Sequence, residues 1–186
     1  MLENLINIVR QQFDSGPSTQ SNLINNKESA IQNAGGSIMD TLKNAASSGR
    51  IRELLDFFKS GNTSATSNQL VKEATGNYAH TLQQTQGLDM QQAEQVANQV
   101  VPNTMNQLAN RAANPADQTF NLQDIFNHLT NGKTSGFNMQ NLINKYASGT
   151  FDKDGDGDVD LQDIKALFTG GGASNGGLVD KLKNLF

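Results

Sequence analysis

Twelve residues near the C-terminal end of the chain, Asp152 to Asp163, constrain its folding more than any other segment. They read DKDGDGDVDLQD and contain six of the 18 acidic residues of the whole chain. Two carboxylates about 4 Å apart repel each other by roughly 1 kcal/mol even at the dielectric constant of water. A compact fold of this segment therefore favours a bound cation, and Gly157 permits the sharp turn that would wrap the chain around one.

The carboxylates recur at the spacing by which a short loop surrounds a hard cation. Counted from Asp152 as position 1, they occupy positions 1, 3, 5, 7, 9 and 12, with glycine at position 6. Positions 1, 3 and 5 point side-chain oxygens inward, position 7 offers its backbone carbonyl, and positions 9 and 12 complete the shell. The spacing predicts a metal site formed by Asp152, Asp154, Asp156, Asp158, Asp160 and Asp163. In this site Asp158 contributes its backbone carbonyl. The alternative interpretation is a solvated acidic turn whose last aspartate caps the next helix.

This loop resembles an EF-hand, and its first six residues are similar to those of calmodulin-type hands. The resemblance implies a helix on each side of the loop and Ca²⁺ as the ion, with Mg²⁺ as the alternative. Asp163 departs from the pattern, because most EF-hands have at position 12 a glutamate that binds calcium through both oxygens. The shorter side chain is expected to weaken calcium binding. With aspartate at position 12, the loop also resembles the calcium loops of dockerins, which carry two such loops.

Apolar residues at three- and four-residue steps predict helices along most of the chain before this loop. The glycine pair Gly35–Gly36 predicts a helix break, and Pro102 predicts a second one. Gly87 is expected to end one helix, and Asp89 and Asn121 are each expected to cap the start of another. The predicted fold class is all-α, a multihelical bundle that ends in an EF-hand-like helix-loop-helix.

Three segments of the chain align without gaps, namely Phe120–Gly132, Phe137–Gly149 and Val159–Gly171. Each has Asn or Asp in second place, apolar residues at helical spacing and a final glycine, which predicts a capped helix of about ten residues. When the second copy is placed in the frame of the third, the segment that corresponds to the metal loop is Thr130 to Asn141, which contains no carboxylate. A paired hand would therefore lack its metal, and a recurrent way of capping helices is the simpler interpretation.

The segment from Gly87 to Gly132 resembles the bacterial YidB-like family of small helical proteins. The resemblance depends on the Gly-Leu-Asp opening, the Val101–Pro102 break, the helix after it, the Asn-Pro turn and the Leu-Thr-x-Gly ending. It covers about the first 132 residues and implies an all-helical fold of unassigned biochemical role, with no catalytic residues. The chain is then divided into a YidB-like domain (1–132), the helix-loop-helix (133–171), and a Gly-rich tether with a terminal amphipathic helix (172–186).

Composition and motifs argue against several functions. A net charge of −4 argues against nucleic-acid binding, and the absence of cysteine excludes disulfides and thiol nucleophiles. His80 and His128 lack partner ligands at zinc spacing. Without a catalytic motif, a signal sequence or an apolar stretch of membrane-spanning length, we expect a cytoplasmic protein that is not an enzyme.

The predicted function is calcium binding that orders the C-terminal helices, either as a structural staple or as a sensor. The first alternative is a calcium-dependent docking module of the dockerin kind. The second is a structural protein that assembles through its terminal helices, with the metal incidental. The helix at the end of the chain, LVDKLKNLF, is expected to cover the core or to anchor a partner protein, and its two lysines are too few to predict binding to a membrane surface.

Overall fold

The computed structural model describes residues 1–16, 23–60, 68–114, 116–132, 134–135 and 138–147. Within these residues the chain forms helices and no strand, which confirms the all-α prediction for this part of the chain. The helices are α1 (Leu2–Ser15), α2 (Lys27–Ser47), α3 (Ile51–Ser60), α4 (Gln69–Gln86), α5 (Met90–Ala113), α6 (Leu122–Leu129) and α7 (Met139–Ala147). The predicted metal loop, the third repeat copy and the terminal helix lie outside the described residues, so the EF-hand-like end of the fold stays a prediction.

The hairpin of α4 and α5 forms the centre of the bundle, because α4 also packs on α2 and α5 on α1. Gly87 ends α4 with φ 71°, the left-handed conformation that glycine adopts without steric cost. Asp89 caps α5: its carboxylate accepts from the N–H of Gln92 at 2.8 Å, and the Gln92 side chain accepts from the N–H of Asp89 at 3.2 Å. Both ends of this turn agree with the sequence prediction.

The predicted helix break at Gly35–Gly36 is wrong. α2 continues through both glycines as one helix from Lys27 to Ser47. A Cβ atom at Gly35 would lie 3.1 Å from Cγ1 of Ile6, so the missing side chain lets α1 approach α2 closely. The buried apolar residues on either side of the pair offset the cost of glycine in a helix, which is roughly 1 kcal/mol per residue.

The predicted break at Pro102 is also wrong, since α5 runs from Met90 to Ala113 with the proline inside it. Proline removes the N–H that would donate to the carbonyl four residues earlier, and its ring crowds the same turn. Val101 and Met105 are fully buried beside it, so packing against the core holds the helix together. The Val101–Pro102 break therefore no longer supports the YidB-like resemblance.

The three shorter helices pack together at one side of the bundle. α3 contacts α5 and α7, and the rings of Phe58 in α3 and Phe126 in α6 are 5.5 Å apart. Arg50 precedes α3 and donates to the carboxylates of Glu53 and Glu73, which ties the start of α3 to α4. α7, the last described helix before the predicted metal loop, is thereby packed between α3 and α6.

Candidate metal centre

The six predicted ligands, Asp152 to Asp163, lie outside the described residues, so their convergence on an ion stays a prediction. In the part of the chain that the structure describes, there is no group of three or more histidine or acidic side chains that could hold a metal ion. The geometry that bears on the site is that of the two earlier repeat copies, because α7 is the helix that leads to the loop.

The first copy forms the capped helix that its sequence predicts. Phe120 is buried, and Oδ1 of Asn121 accepts from the backbone N–H of Asp124 at 2.8 Å, as an N-cap residue does. The side chains of these two capping residues also meet, since Nδ2 of Asn121 donates to Oδ2 of Asp124 at 2.6 Å. The second and fifth residues of this copy therefore point their polar groups at the same place, ahead of the helix.

A left-handed turn ends the first copy. Asn131 has φ 52° and Gly132 has φ 82°. The N–H of Gly132 donates to the carbonyl of Asn127 at 2.6 Å, the bond that closes a Schellman motif. The predicted closing role of the final glycine is thus confirmed in this copy.

The second copy begins in the same way. Oδ1 of Asn138 accepts from the N–H of Asn141 at 2.9 Å, and α7 follows with Met139 and Ile143 buried. Its Gln140 donates to Asn144 at 3.3 Å, as the equivalent Gln123 donates to Asn127 at 3.2 Å in the first copy. The capped start of the helix is therefore shared in structure as well as in sequence by the described parts of the first two copies.

Four polar side chains, Gln123, Asn127, Thr130 and Thr134, hold the connection between α6 and α7, and we refer to them as the clasp. Nε2 of Gln123 donates to the carbonyl of Thr134 at 3.0 Å, and its Oε1 accepts from the N–H of Met139 at 3.2 Å. The hydroxyl of Thr134 donates to Oδ1 of Asn127 at 3.0 Å and shares a hydrogen bond of 3.1 Å with Thr130. The loop without carboxylates is thus closed by hydrogen bonds between neutral groups.

This loop differs from the predicted metal loop in the residues at its ligand positions. In the frame that starts at Thr130, the two threonines of the clasp are at positions 1 and 5, which in an EF-hand loop are ligand positions. Here their hydroxyls bond to each other. The lack of carboxylates in this loop is evident from the sequence, but the clasp was not predicted. A usable signal was present, because a glutamine occupies the fourth place of all three repeat copies.

Two groups near α6 have shifted pKa values. Hydrogen bonding from Arg111, at 2.7 Å, lowers the pKa of Asp117, and the same guanidinium lies 4.6 Å from the centre of the Phe120 ring. Burial lowers the pKa of His128, and the positive charge of Lys43 adds to this effect. The ion pair of Arg111 and Asp117 fixes the turn ahead of α6. Neither pKa shift produces an acid and a base side by side near the clasp.

No family model matches the chain, and no curated protein or solved structure matches it either. The resemblances to EF-hand loops and to YidB-like proteins stay predictions that depend on the residues quoted for them. Among the described helices, none is both long and apolar enough to cross a membrane.

Proposed function

We propose that the chain binds one calcium ion through the loop from Asp152 to Asp163, and that the ion acts as a structural staple for the helices beside it. The proposal depends on one observation, the six carboxylates at positions 1, 3, 5, 7, 9 and 12 around a central glycine. Magnesium is the alternative ion, because the aspartate at position 12 reduces the preference for calcium.

The repeat supplies a geometric argument in favour of the site. Its alignment gives Asp160 and Asp163 the places that Asn121 and Asp124 have in the first copy. In that copy the two side chains meet at 2.6 Å because one is an amide donor and the other a carboxylate. Two carboxylates in the same arrangement would repel each other unless a cation lay between them. Positions 9 and 12 are also ligand positions of an EF-hand loop, so both arguments favour the same two residues.

The packing of α7 favours a staple over a sensor. A sensor hand opens on binding calcium and exposes an apolar groove. The apolar residues Met139 and Ile143 of α7 are 2% and 5% exposed, and the helix contacts both α3 and α6. Opening this helix would expose buried apolar side chains to water, which costs free energy and opposes a sensor mechanism. An ion that binds only the folded state adds about 2.7 kcal/mol of stability at 100 times its dissociation constant.

Calcium titration of the full chain tests the proposal. Isothermal calorimetry should give one site per chain, and thermal unfolding in calcium should occur at a higher temperature than in a chelator. Asp156→Ala should abolish both effects, because it removes a side-chain ligand from the centre of the loop. Asp40→Ala is the matched control, since it removes one exposed acidic side chain from α2 and should leave both effects unchanged.

Three results would count against parts of the proposal. If neither calcium nor magnesium changes the amide resonances of the loop, the chain has no metal site there. If calcium binds but the melting temperature stays the same, the ion is not a staple, and a docking function gains support. If calcium increases the binding of a hydrophobic dye, the site is a sensor.

A further inference from the structure

We infer that Asn131 is a site of spontaneous deamidation, and that the turn at the end of α6 controls the rate of this modification. The chain contains two Asn-Gly pairs, Asn131–Gly132 and Asn175–Gly176. Asparagine followed by glycine is the pair most prone to this reaction, because glycine has no side chain to hinder attack by its own nitrogen. Asn131 is exposed, so water reaches it.

The reaction needs only water. The backbone nitrogen of Gly132 attacks Cγ of Asn131, a C–N bond forms, and the bond from Cγ to the side-chain nitrogen breaks. That nitrogen leaves as ammonia with the proton from the Gly132 amide, and a five-membered succinimide remains. Water then adds to one of the two ring carbonyls and gives either aspartate or isoaspartate. No oxidant or reductant takes part.

The folded turn opposes the first step. The attacking nitrogen carries the N–H that donates to the carbonyl of Asn127 at 2.6 Å, so this bond fixes its peptide plane. Asn131 itself is held at φ 52°, and the clasp fixes Asn127 through bonds from Gln123 and Thr134. The nitrogen can approach Cγ only when this arrangement opens. The rate of deamidation therefore reports the opening of the turn.

The modification would loosen the same turn irreversibly. An aspartate at position 131 places a negative charge beside the C-terminal carbonyls of α6, where negative charge is unfavourable. An isoaspartate lengthens the backbone by one methylene group, which breaks the register between Gly132 and Asn127. Either product weakens the connection that positions α7, so deamidation acts as a one-way change in how firmly α7 is held.

Peptide mapping by mass spectrometry tests the inference on the full chain. Samples incubated at mildly alkaline pH are digested, and the mass increase at Asn131 is followed beside that at Asn175, which serves as an internal reference for buffer and temperature. A synthetic peptide of residues 127–136 gives the rate without the fold. We expect Asn131 in the folded chain to react roughly tenfold or more slowly than in the peptide, because local opening must precede the reaction.

A variant of the clasp tests whether the turn, and not only the Asn-Gly pair, controls the rate of deamidation. Thr134→Val removes the hydroxyl that bonds to Asn127 and Thr130, and the Thr130 hydroxyl keeps its bond to the carbonyl of Phe126. The net loss is therefore about one neutral hydrogen bond, which should raise the rate at Asn131 by about two- to tenfold. Thr81→Val is the matched control, since it removes the hydroxyl of an α4 threonine that donates to Asn77, far from the turn in sequence. It should leave the rate unchanged.

Concentrations of urea below the unfolding transition give a second test that needs no variant. The rate at Asn131 should rise with urea while the rate in the peptide stays nearly constant. The inference fails if Asn131 in the folded chain reacts as fast as in the peptide. It also fails if the site does not react even in Thr134→Val, or if neither this variant nor urea changes its rate.

Discussion

Replacing Thr104 with valine is expected to stabilise the protein, although the residue is polar and lies in the middle of α5. Thr104 is completely buried, and its hydroxyl has no hydrogen-bond partner among the described residues. Threonines in α2 and α4 behave differently, because each donates its hydroxyl to the carbonyl four residues earlier. An unpaired buried hydroxyl costs about 1–3 kcal/mol of desolvation, and valine replaces it with a methyl group. We expect Thr104→Val to gain about 1 kcal/mol, the lower end of that range.

Thr41→Val provides the opposite case on α2. Thr41 is 2% exposed, donates to the carbonyl of Ser37 at 2.8 Å and accepts from Nδ2 of Asn77 at 3.1 Å. Its replacement should cost about 2 kcal/mol, because two satisfied hydrogen bonds of roughly 1 kcal/mol each are lost. Urea unfolding followed by circular dichroism in a chelator measures both variants with the ion content held constant. The argument is refuted if Thr104→Val lowers the urea midpoint as much as Thr41→Val does.

Three further variants test other contacts of the fold. Tyr78→Phe should cost about 1 kcal/mol in urea unfolding, because the fully buried hydroxyl of Tyr78 donates to the carbonyl of Ala30 at 3.0 Å. Gly87→Ala should lower the melting temperature and cost roughly 1–2 kcal/mol, since φ is 71° at this position, and an equal value for Gly76→Ala would contradict the reason given. Hydrogen bonding from Arg50 lowers the pKa of Glu73, so the pair stabilises the fold above the unfolded pKa of glutamate, and this contribution is lost as the pH falls through the folded value. Glu73→Gln should therefore flatten the acid side of a plot of melting temperature against pH, and an unchanged acid side would count against the pair.

Local signals in the sequence predicted the helix ends well where a single residue determines the geometry. Gly87, Asp89 and Asn121 act within one turn of chain, and the structure has each of them in the expected role. The helix breaks predicted at Gly35 and Pro102 were wrong because they too depended on local preference alone. Their helices continue because of contacts with distant residues, such as the approach of Ile6 to Gly35, which no local pattern contains.

The candidate site likewise has one part that was predicted from the sequence and one part that was not. The proposed ligands were predicted from spacing alone, because a loop of the EF-hand kind takes its protein oxygens from one short segment. The clasp was not predicted, since its bonds depend on which of many Asn, Gln and Thr side chains meet in space. Gln123 reaches Thr134 and Met139, 11 and 16 residues later, across the connection between α6 and α7, so the periodicity within one helix does not predict either contact. Neutral amides and hydroxyls pair with one another in many combinations, so composition does not select among them.

The clasp contacts the first turn of α7, and the loop proposed to bind the ion follows the end of α7 in the sequence, so we expect the two to be coupled. α7 has nine residues, fewer than an isolated helix needs for stability in water, so its position depends on its packing and its two ends. The clasp fixes the first turn through the bond from Met139 to Gln123, and the loop begins five residues after the last residue of the helix. If Gln123→Ala frees the first turn, calcium must order α7 as it binds.

We therefore expect Gln123→Ala to weaken calcium binding by about two- to tenfold in calorimetry, within the range of coupling between neighbouring sites. Thr81→Val should leave the affinity unchanged. An equal affinity for Gln123→Ala and the unaltered chain would mean that the loop folds around its ion independently of α7, and the staple would then hold only the loop itself. Because both proteins must bind calcium for the comparison to exist, this result is distinct from a failure of the metal site.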